Sequence, residues 1–425
     1  MKGLPKSFHV MAKPSGPICN LDCQYCFYLD KTELFPKGTR FRMSDEVLEA
    51  YIRQQFESQE GGSVLFAWQG GEPTLMGVGF FEKVVALQKK HGGGRRAENA
   101  IQTNGILLDD AWGAFLHREK FLVGLSIDGP SGLHDFHRVD SAGKPTFDRV
   151  MRGLQILKRH QVEFNTLTVV HRESAKRPLE VYDFLKDTGS QYLQFIPLVD
   201  RLVPGASPSA VESVRDGAAS QVTDFSVLPE DYGAFLTSIF DTWVREDVGK
   251  VYVQLFDVAL GIWMGMPSGL CLFSESCGDA VALEHNGDLY SCDHFVSPAY
   301  RLGNLLNQSL GDMVRSAAQR SFGQAKADTL PQYCLRCPVK FACNGECPKN
   351  RFITSPDGEP GLNYLCTAYR RFFTHANPYL RGMAWLALNG RSPADIMSLD
   401  IPGIAAGETA VTSDDSKLRR PAQGI

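Results

Sequence analysis

No apolar run in this chain of 425 residues approaches the roughly 20 residues that a bilayer-crossing helix needs, so the sequence offers no membrane-spanning helix. Positive charge is not in surplus: 44 Lys and Arg stand against 48 Asp and Glu, a net charge of -4, which gives no general attraction for nucleic acid. The short basic runs Arg95-Arg96 and Lys417 to Arg420 read as solvated surface or tail. The opening stretch M-K-G-L-P-K-S-F-H-V-M-A-K-P lacks the continuous apolar segment that exports a chain. Disulfides need an oxidising compartment, so the expected setting is a reducing cytoplasm. No short-period repeat is present, which removes solenoid architectures.

Cysteine, by contrast, is plentiful and clustered. Cys19, Cys23 and Cys26 lie in the run C-N-L-D-C-Q-Y-C, and the remaining eight of the eleven cysteines all lie near the C-terminus: Cys271, Cys277, Cys292, Cys334, Cys337, Cys343, Cys347 and Cys366. Three closely spaced thiolates can hold three corners of an iron–sulfur cube and leave the fourth iron open to a substrate or cosubstrate. Eight more suffice for two closed four-cysteine sites, so three, four and four use every cysteine. C-x2-C pairs also build zinc sites, which stays open for the C-terminal eight. The N-terminal triplet has no nearby fourth Cys or His, which disfavours zinc there.

Short β-rich apolar runs alternate with helical patterns up to about residue 235, the signature of an α/β sheet or barrel. The candidate strands are 8–12, 64–68, 100–103, 122–127, 164–170 and 192–196. Between them Ser44 can cap a helix running to Gln59, and 80–91, 150–159 and 179–186 read as further helices. Six strands make a barrel narrower in strand count than the usual eight. Ligands in such folds gather at the C-terminal strand ends, where the cysteine triplet falls. Residues 199–228 lack periodicity and predict a long loop. A helix over 232–246 leads into the eight-cysteine region, where regular structure is expected to be sparse and metal ligation to replace a hydrophobic core. A further helix is expected over 369–388, and a loosely attached tail from about 400. The size prior of roughly 150 residues per domain gives two to three domains, and the expected division is 1–235, 236–385, and 386–425 as C-terminal helix and tail.

C-x3-C-x2-C with Tyr25 before the third cysteine resembles the signature of radical S-adenosylmethionine enzymes. The resemblance implies an α/β fold with a partial (β/α)6 barrel, and an open iron that binds S-adenosylmethionine and cleaves it to a 5'-deoxyadenosyl radical, which takes hydrogen from unactivated carbon. Gly70, Gly71 and Glu72 in G-G-E-P resemble the motif that faces the methionine amino group in that family. Ser126 in L-S-I-D-G-P and Arg138 in H-D-F-H-R match positions that touch the ribose and the methionine carboxylate. Leu198 in F-I-P-L-V matches an adenine contact. Gln69, Gln102 and Asn104, near strand ends, are weaker candidates for the same cavity. The C-terminal spacing resembles the SPASM extension with two auxiliary four-iron clusters. That resemblance assigns Cys271, Cys277, Cys292 and Cys347 to one cluster and Cys334, Cys337, Cys343 and Cys366 to the other, making three 4Fe-4S clusters in all.

Within that group the chain is most similar to the anaerobic sulfatase-maturating enzymes, through W-Q-G-G-E-P, I-Q-T-N-G, L-S-I-D-G-P, Q-F-I-P-L-V and the cysteine region. The similarity implies oxidation of a Cys or Ser in a sulfatase precursor, in a Cys/Ser-x-Pro-x-Arg type motif, to Cα-formylglycine. Asp293 in Y-S-C-D-H-F matches the position of the base. It also implies a flavodoxin- or ferredoxin-like reductant, and a monomer is the default expectation. SPASM enzymes also form thioether or carbon–carbon crosslinks in other peptides. Those often carry an N-terminal leader-binding domain, for which the early first strand leaves no room here. An iron–sulfur electron carrier without enzymatic activity is the remaining alternative, and it gives the six βα units no purpose.

Overall fold

The computed structural model describes residues 8–202 and 221–399. Six parallel strands form its centre: β1 His9–Lys13, β2 Ser63–Trp68, β3 Arg96–Thr103, β4 Leu122–Ser126, β5 Phe164–Val170 and β6 Tyr192–Pro197. Each pairs with the next in chain order. All six lie where the apolar runs predict them, with β3 beginning four residues earlier. Helices fill the crossovers for local reasons. Ser44 Oγ accepts the Val47 N–H at the head of Asp45–Ser58, and Asp109 does the same for Asp110–Arg118. Pro178 opens Pro178–Asp187 at a position that needs no N–H donor.

Alternation along β2 sends Val64, Phe66 and Trp68 inward and leaves Leu65 outside. Trp68 packs edge-on against Tyr51 and Phe81 from two crossover helices, both at 5.7 Å between ring centroids. Each such buried aromatic side chain contributes about 2–3 kcal/mol, which binds the helical layer to the strands.

The sheet does not stop at six strands. Between the barrel and the cysteine-rich region come β7 Arg201–Leu202, β8 Gln221–Val222 and β9 Tyr252–Val253. Then follow β10 Ala280–Glu284, β11 Asp288–Tyr290 and β12 Arg301–Asn304. The resulting ten-stranded sheet runs β12-β11-β10-β1-β2-β3-β4-β5-β6-β9 and does not close on itself. β10 pairs parallel to β1, placing Glu284 beside Lys13. This is a partial barrel whose first strand is shared with the cysteine-rich region.

The cysteine-rich region corrects one expectation. The eight-cysteine region contains a twelve-residue helix, Ala317–Asp328, and its Val281, Leu283, Leu310 and Leu365 belong to the same hydrophobic cluster as the barrel core. Apolar burial therefore supports it as well as any metal. Of the loop expected over 199–228, residues 203–220 lie outside the described residues, and the segments flanking them pair as the antiparallel β7–β8 ribbon. The tail expected from 400 also lies outside the described residues. Residue 236 falls inside the helix Pro229–Glu246 and residue 386 inside Cys366–Leu388. These two helices pack together, with Tyr232 against Tyr369 and Phe240 against Phe372, and Gly233 allows the close approach to Ala368. Among the described residues no helix is long and apolar enough to cross a membrane.

Candidate active site

The loop after β1 carries Cys19, Cys23 and Cys26 across the C-terminal ends of the strands, and the G-G-E-P loop after β2 is bonded directly onto it. Gly71 N–H donates to Gly16 O at 2.8 Å and Glu72 N–H to Ile18 O at 2.9 Å. A Cβ on Gly71 would lie 2.0 Å from Ile18 O, and Gly70 adopts φ +128° with its Cβ position 3.0 Å from Gly16 O. Both glycines are thus required by the approach of one backbone to another. Glu72, fully buried, accepts from Thr74 N (3.0 Å), Thr74 Oγ1 (2.6 Å), Thr103 Oγ1 (2.8 Å) and Asn104 N (2.8 Å). Burial raises its carboxyl, and these bonds offset part of that rise. Glu72 therefore locks the loops after β2 and β3 together.

Asn104, one of the weaker candidates, reaches the cysteine loop: its Nδ2 donates to Asn20 Oδ1 at 2.8 Å and approaches Cys19 Sγ at 3.7 Å. Gln69 contributes only a backbone bond, to Ala12 O. Ser126 closes β4 and is 6 % exposed. Arg138 forks onto Asp128, Nε to Oδ2 at 2.8 Å and Nη2 to Oδ1 at 3.1 Å. Asp128 also accepts from the Tyr25 hydroxyl and the Val169 N–H. Burial alone would raise the Asp128 carboxyl, but the Arg138 charge and these donors hold it below the usual range. Two of the three Arg138 nitrogens are thus spent inside the protein, leaving Nη1. Leu198, just past β6, is buried and held by Val170 O and Val227 N. Around these strand ends Ser15 Oγ, Asn20 Nδ2, His137 Nε2 and His171 Nε2 are buried without a protein partner, polar groups that a polar small molecule would satisfy.

None of the eleven cysteines forms a disulfide, and their mutual electrostatic effects sort them into three sets. Cys19 senses the charges of Cys23 and Cys26. Cys292 senses Cys271 and Cys277, and Cys347 senses Cys292 and Cys271. Cys343 senses Cys366 and Cys334, and Cys366 senses Cys334 and Cys337. The last four line one cavity with Tyr333, Lys340 and Arg370. Burial pushes Cys19, Cys23, Cys292, Cys343 and Cys366 up to about 12, so thiolates here need a cationic centre among them. Among the described residues no group of three or more Cys, His, Asp or Glu is arranged around a single metal ion. Backbone donors face the sulfurs, as from Leu21 N to Cys19 Sγ at 3.4 Å. Lys326, 1 % exposed, bonds Cys271 O and Leu272 O at 2.5 and 2.8 Å. Arg351 bonds the carbonyls of Asn344, Gly345 and Glu346, which lie between Cys343 and Cys347 in the chain. Buried cations beside grouped thiols suit anionic clusters.

Residues 14–185 match the radical SAM superfamily model, and residues 271–338 match that of the SPASM iron-sulfur cluster-binding domain. The chain is 47% identical over 392 residues to a serine-type anaerobic sulfatase-maturating enzyme of Bacteroides thetaiotaomicron, covering 92% of this chain and 95% of that one. The chain belongs to the anaerobic sulfatase-maturating enzymes. A cysteine-type member from Clostridium perfringens is 33% identical over 88% of this chain and 98% of its own. The solved structure of native anSMEcpe with bound AdoMet superposes with TM-score 0.77 at 34% identity, over 88% of this chain and 99% of that one.

In this maturase, Asp293 follows Cys292 in a short turn, and its carboxylate pairs with Lys13 from the end of β1. Burial alone would raise the Asp293 carboxyl; Lys13, with His294 and Lys349, brings it below the usual range. His294, adjacent in sequence, points another way: its ring meets Phe27 edge-on at 5.5 Å, and its Nδ1 lies 3.7 Å from Cys347 Sγ. Sequence reasoning missed Lys13, Tyr28, Asp128 and Glu284. A charged residue closing the apolar run F-H-V-M-A-K was the available signal for Lys13, and the aspartate inside L-S-I-D-G-P for Asp128.

Proposed function

We propose that the protein oxidises a serine or cysteine of a sulfatase precursor to Cα-formylglycine. The observation that carries this reading is Asp293, an ionised carboxylate beside Cys292 and paired with the strand that leads into the Cys19–Cys26 loop. Relatives of both serine and cysteine type align over most of the chain, and one solved relative is described as holding AdoMet together with a peptide. Cys19, Cys23 and Cys26 would hold the open-cornered cluster. Tyr25, Gly70, Gly71, Glu72, Ser126, Arg138 and Leu198 would line the S-adenosylmethionine site. Cys271, Cys277, Cys292 and Cys347, and Cys334, Cys337, Cys343 and Cys366, would hold the two auxiliary clusters. When bound, the N-terminal cluster and S-adenosylmethionine supply a hydrogen-atom acceptor, the 5'-deoxyadenosyl radical.

The oxidation removes one hydrogen atom from Cβ, one proton from the hydroxyl or thiol, and one electron, for which the auxiliary cluster that Cys271, Cys277, Cys292 and Cys347 would hold beside Asp293 would be the acceptor. Serine then yields the aldehyde directly; cysteine yields a thioaldehyde that takes up water and releases hydrogen sulfide. Asp293 accepts the proton, a role worth about 10²–10⁴ in rate. Arg138 keeps Nη1 for a carboxylate while Asp128 fixes its plane, and Leu198 contributes an apolar wall that keeps water out. The protein would act as a monomer in a reducing cytoplasm, served by a flavodoxin- or ferredoxin-like reductant.

The test is anaerobic incubation of the iron-reconstituted protein with S-adenosylmethionine, reductant and peptides carrying Ser-x-Pro-x-Arg or Cys-x-Pro-x-Arg, with aldehyde trapping. Trapped aldehyde is expected, and Asp293→Asn should lower its yield about 100-fold or more while 5'-deoxyadenosine still forms. Deoxyadenosine without aldehyde from either wild-type reaction would point to a different peptide substrate.

A further inference from the structure

Lys13 is 2 % exposed and closes a strand that otherwise carries apolar residues inward. A buried ammonium is tolerated only where partners replace its water, and its partners here come from separate parts of the chain. Its Nζ pairs with Asp293 and sits 4.4 Å from the centroid of the Tyr28 ring, two residues past Cys26. The Tyr28 hydroxyl in turn donates to Glu284, the residue opposite Lys13 on β10. The Lys13 backbone is equally occupied. Its carbonyl accepts the Gly16 N–H at 3.0 Å, starting the cysteine loop. Its Cα lies 3.4 Å from the Cβ position of Gly70. One residue therefore touches the cysteine loop, the G-G-E-P loop and the carboxylate that follows Cys292.

We propose that Lys13 is a positioning residue for the oxidation, tying the Asp293 carboxylate to the strand end that carries the Cys19–Cys26 loop. The inference rests on Asp293 as the proton acceptor and adds the group that aims it. The distance between the hydrogen-abstraction site and the base is then set by a side chain of the barrel, although the base itself belongs to the cysteine-rich region. Without Lys13 the carboxylate loses its ion pair to the barrel, and the two halves of the reaction lose register.

The experiment is a double-mutant cycle on the reconstituted holoenzyme with Lys13→Met, Lys13→Arg, Asp293→Asn and Lys13→Met/Asp293→Asn. It reads the melting midpoint, iron per chain, and aldehyde formed per 5'-deoxyadenosine. Lys13→Met is expected to lower the midpoint by about 3 to 6 °C by stranding a buried carboxylate, and the double variant to recover most of that. With iron retained, Lys13→Met should cut aldehyde per deoxyadenosine at least about tenfold through kcat, with peptide KM moved less than about threefold. Lys13→Arg should restore part of the ratio. In the Asp293→Asn background Lys13→Met should cost nothing further. If Lys13→Met retains too little iron to assay, the double variant and Lys13→Arg carry the same comparison. A Lys13→Met enzyme that melts early but keeps the wild-type ratio, or losses that multiply in the double variant, would overturn the positioning role. An Asp293→Asn enzyme with undiminished aldehyde would instead overturn the base assignment on which it rests.

Discussion

Gly71→Ala is the smallest change the structure predicts to be serious. The added methyl would sit 2.0 Å from Ile18 O, 2.4 Å from Ile18 C and 2.7 Å from Pro17 C, all backbone atoms of the cysteine loop. No rotamer change can relieve this, so one of the two loops must move by an ångström or more. That movement breaks the Gly71–Gly16 and Glu72–Ile18 bonds at 2.8 and 2.9 Å. Overpacking of this kind costs about 1–3 kcal/mol and each lost bond about 1 kcal/mol more, a total of about 3–5 kcal/mol. At about 2.1 cal/mol/K per residue for a chain of this length, the melting midpoint should fall by about 3 to 6 °C. The displaced loop is also the one that bears Cys19, so iron should fall from about twelve per chain toward eight and deoxyadenosine formation should fail. Gly62→Ala is the matched control, because nothing lies within 4 Å of its Cβ position, and it should change stability by less than about 0.5 kcal/mol. A Gly71→Ala protein with wild-type iron, midpoint and deoxyadenosine yield would refute the reasoning.

Two other perturbations follow from the same geometry. Cys366→Ala, in the cavity shared with Cys334, Cys337 and Cys343, should remove about four irons per chain while leaving deoxyadenosine formation in the absence of peptide intact; unchanged iron would separate Cys366 from that group. His134 is held neutral, with Nδ1 accepting the Asp128 N–H at 3.3 Å and Nε2 facing Thr146 Oγ1 at 3.2 Å. Burial, aided by Arg138 and opposed by Asp128 and Asp135, lowers its pKa to about 4. Because the folded value lies below the unfolded one of about 6.5, the unfolded chain takes up the proton first. The stability involved is present above pH ~6.5 and lost as pH falls toward 4, about 3 kcal/mol in all. His134→Gln should show a shallower decline of the melting midpoint between pH 7 and 5 than the wild type, and equal slopes would show that His134 titrates normally.

What could be read from the residues alone was local. Short apolar runs marked β2 and β5 because a strand's pattern lies within six or seven residues, and Ser44 marked its helix because a cap acts three residues ahead. The cysteine triplet was legible for the same reason, since its three thiols lie within eight residues of sequence. The pairing of β10 with β1 was not, because it joins segments about 270 residues apart and leaves no mark in either local pattern. The same distance hid the ion pair of Lys13 with Asp293, whereas Arg138 and Asp128 stand only ten residues apart and their fork needed the folded loop after β4. Grouping Cys347 with Cys271, Cys277 and Cys292 came from resemblance, because spacing gives Cys343 and Cys347 equal claims. The glycines of G-G-E-P were legible as glycines, but what they accommodate, the backbone of the cysteine loop, required the fold.

The most direct measurement follows the hydrogen. A Ser-x-Pro-x-Arg peptide deuterated at the serine Cβ would be incubated anaerobically with the reconstituted enzyme, S-adenosylmethionine and reductant, and both products analysed by mass spectrometry. The account predicts one deuterium in 5'-deoxyadenosine, one retained on the trapped formylglycine aldehyde, and equal amounts of the two products. Deoxyadenosine carrying no deuterium, or aldehyde formed without matching deoxyadenosine, would contradict it.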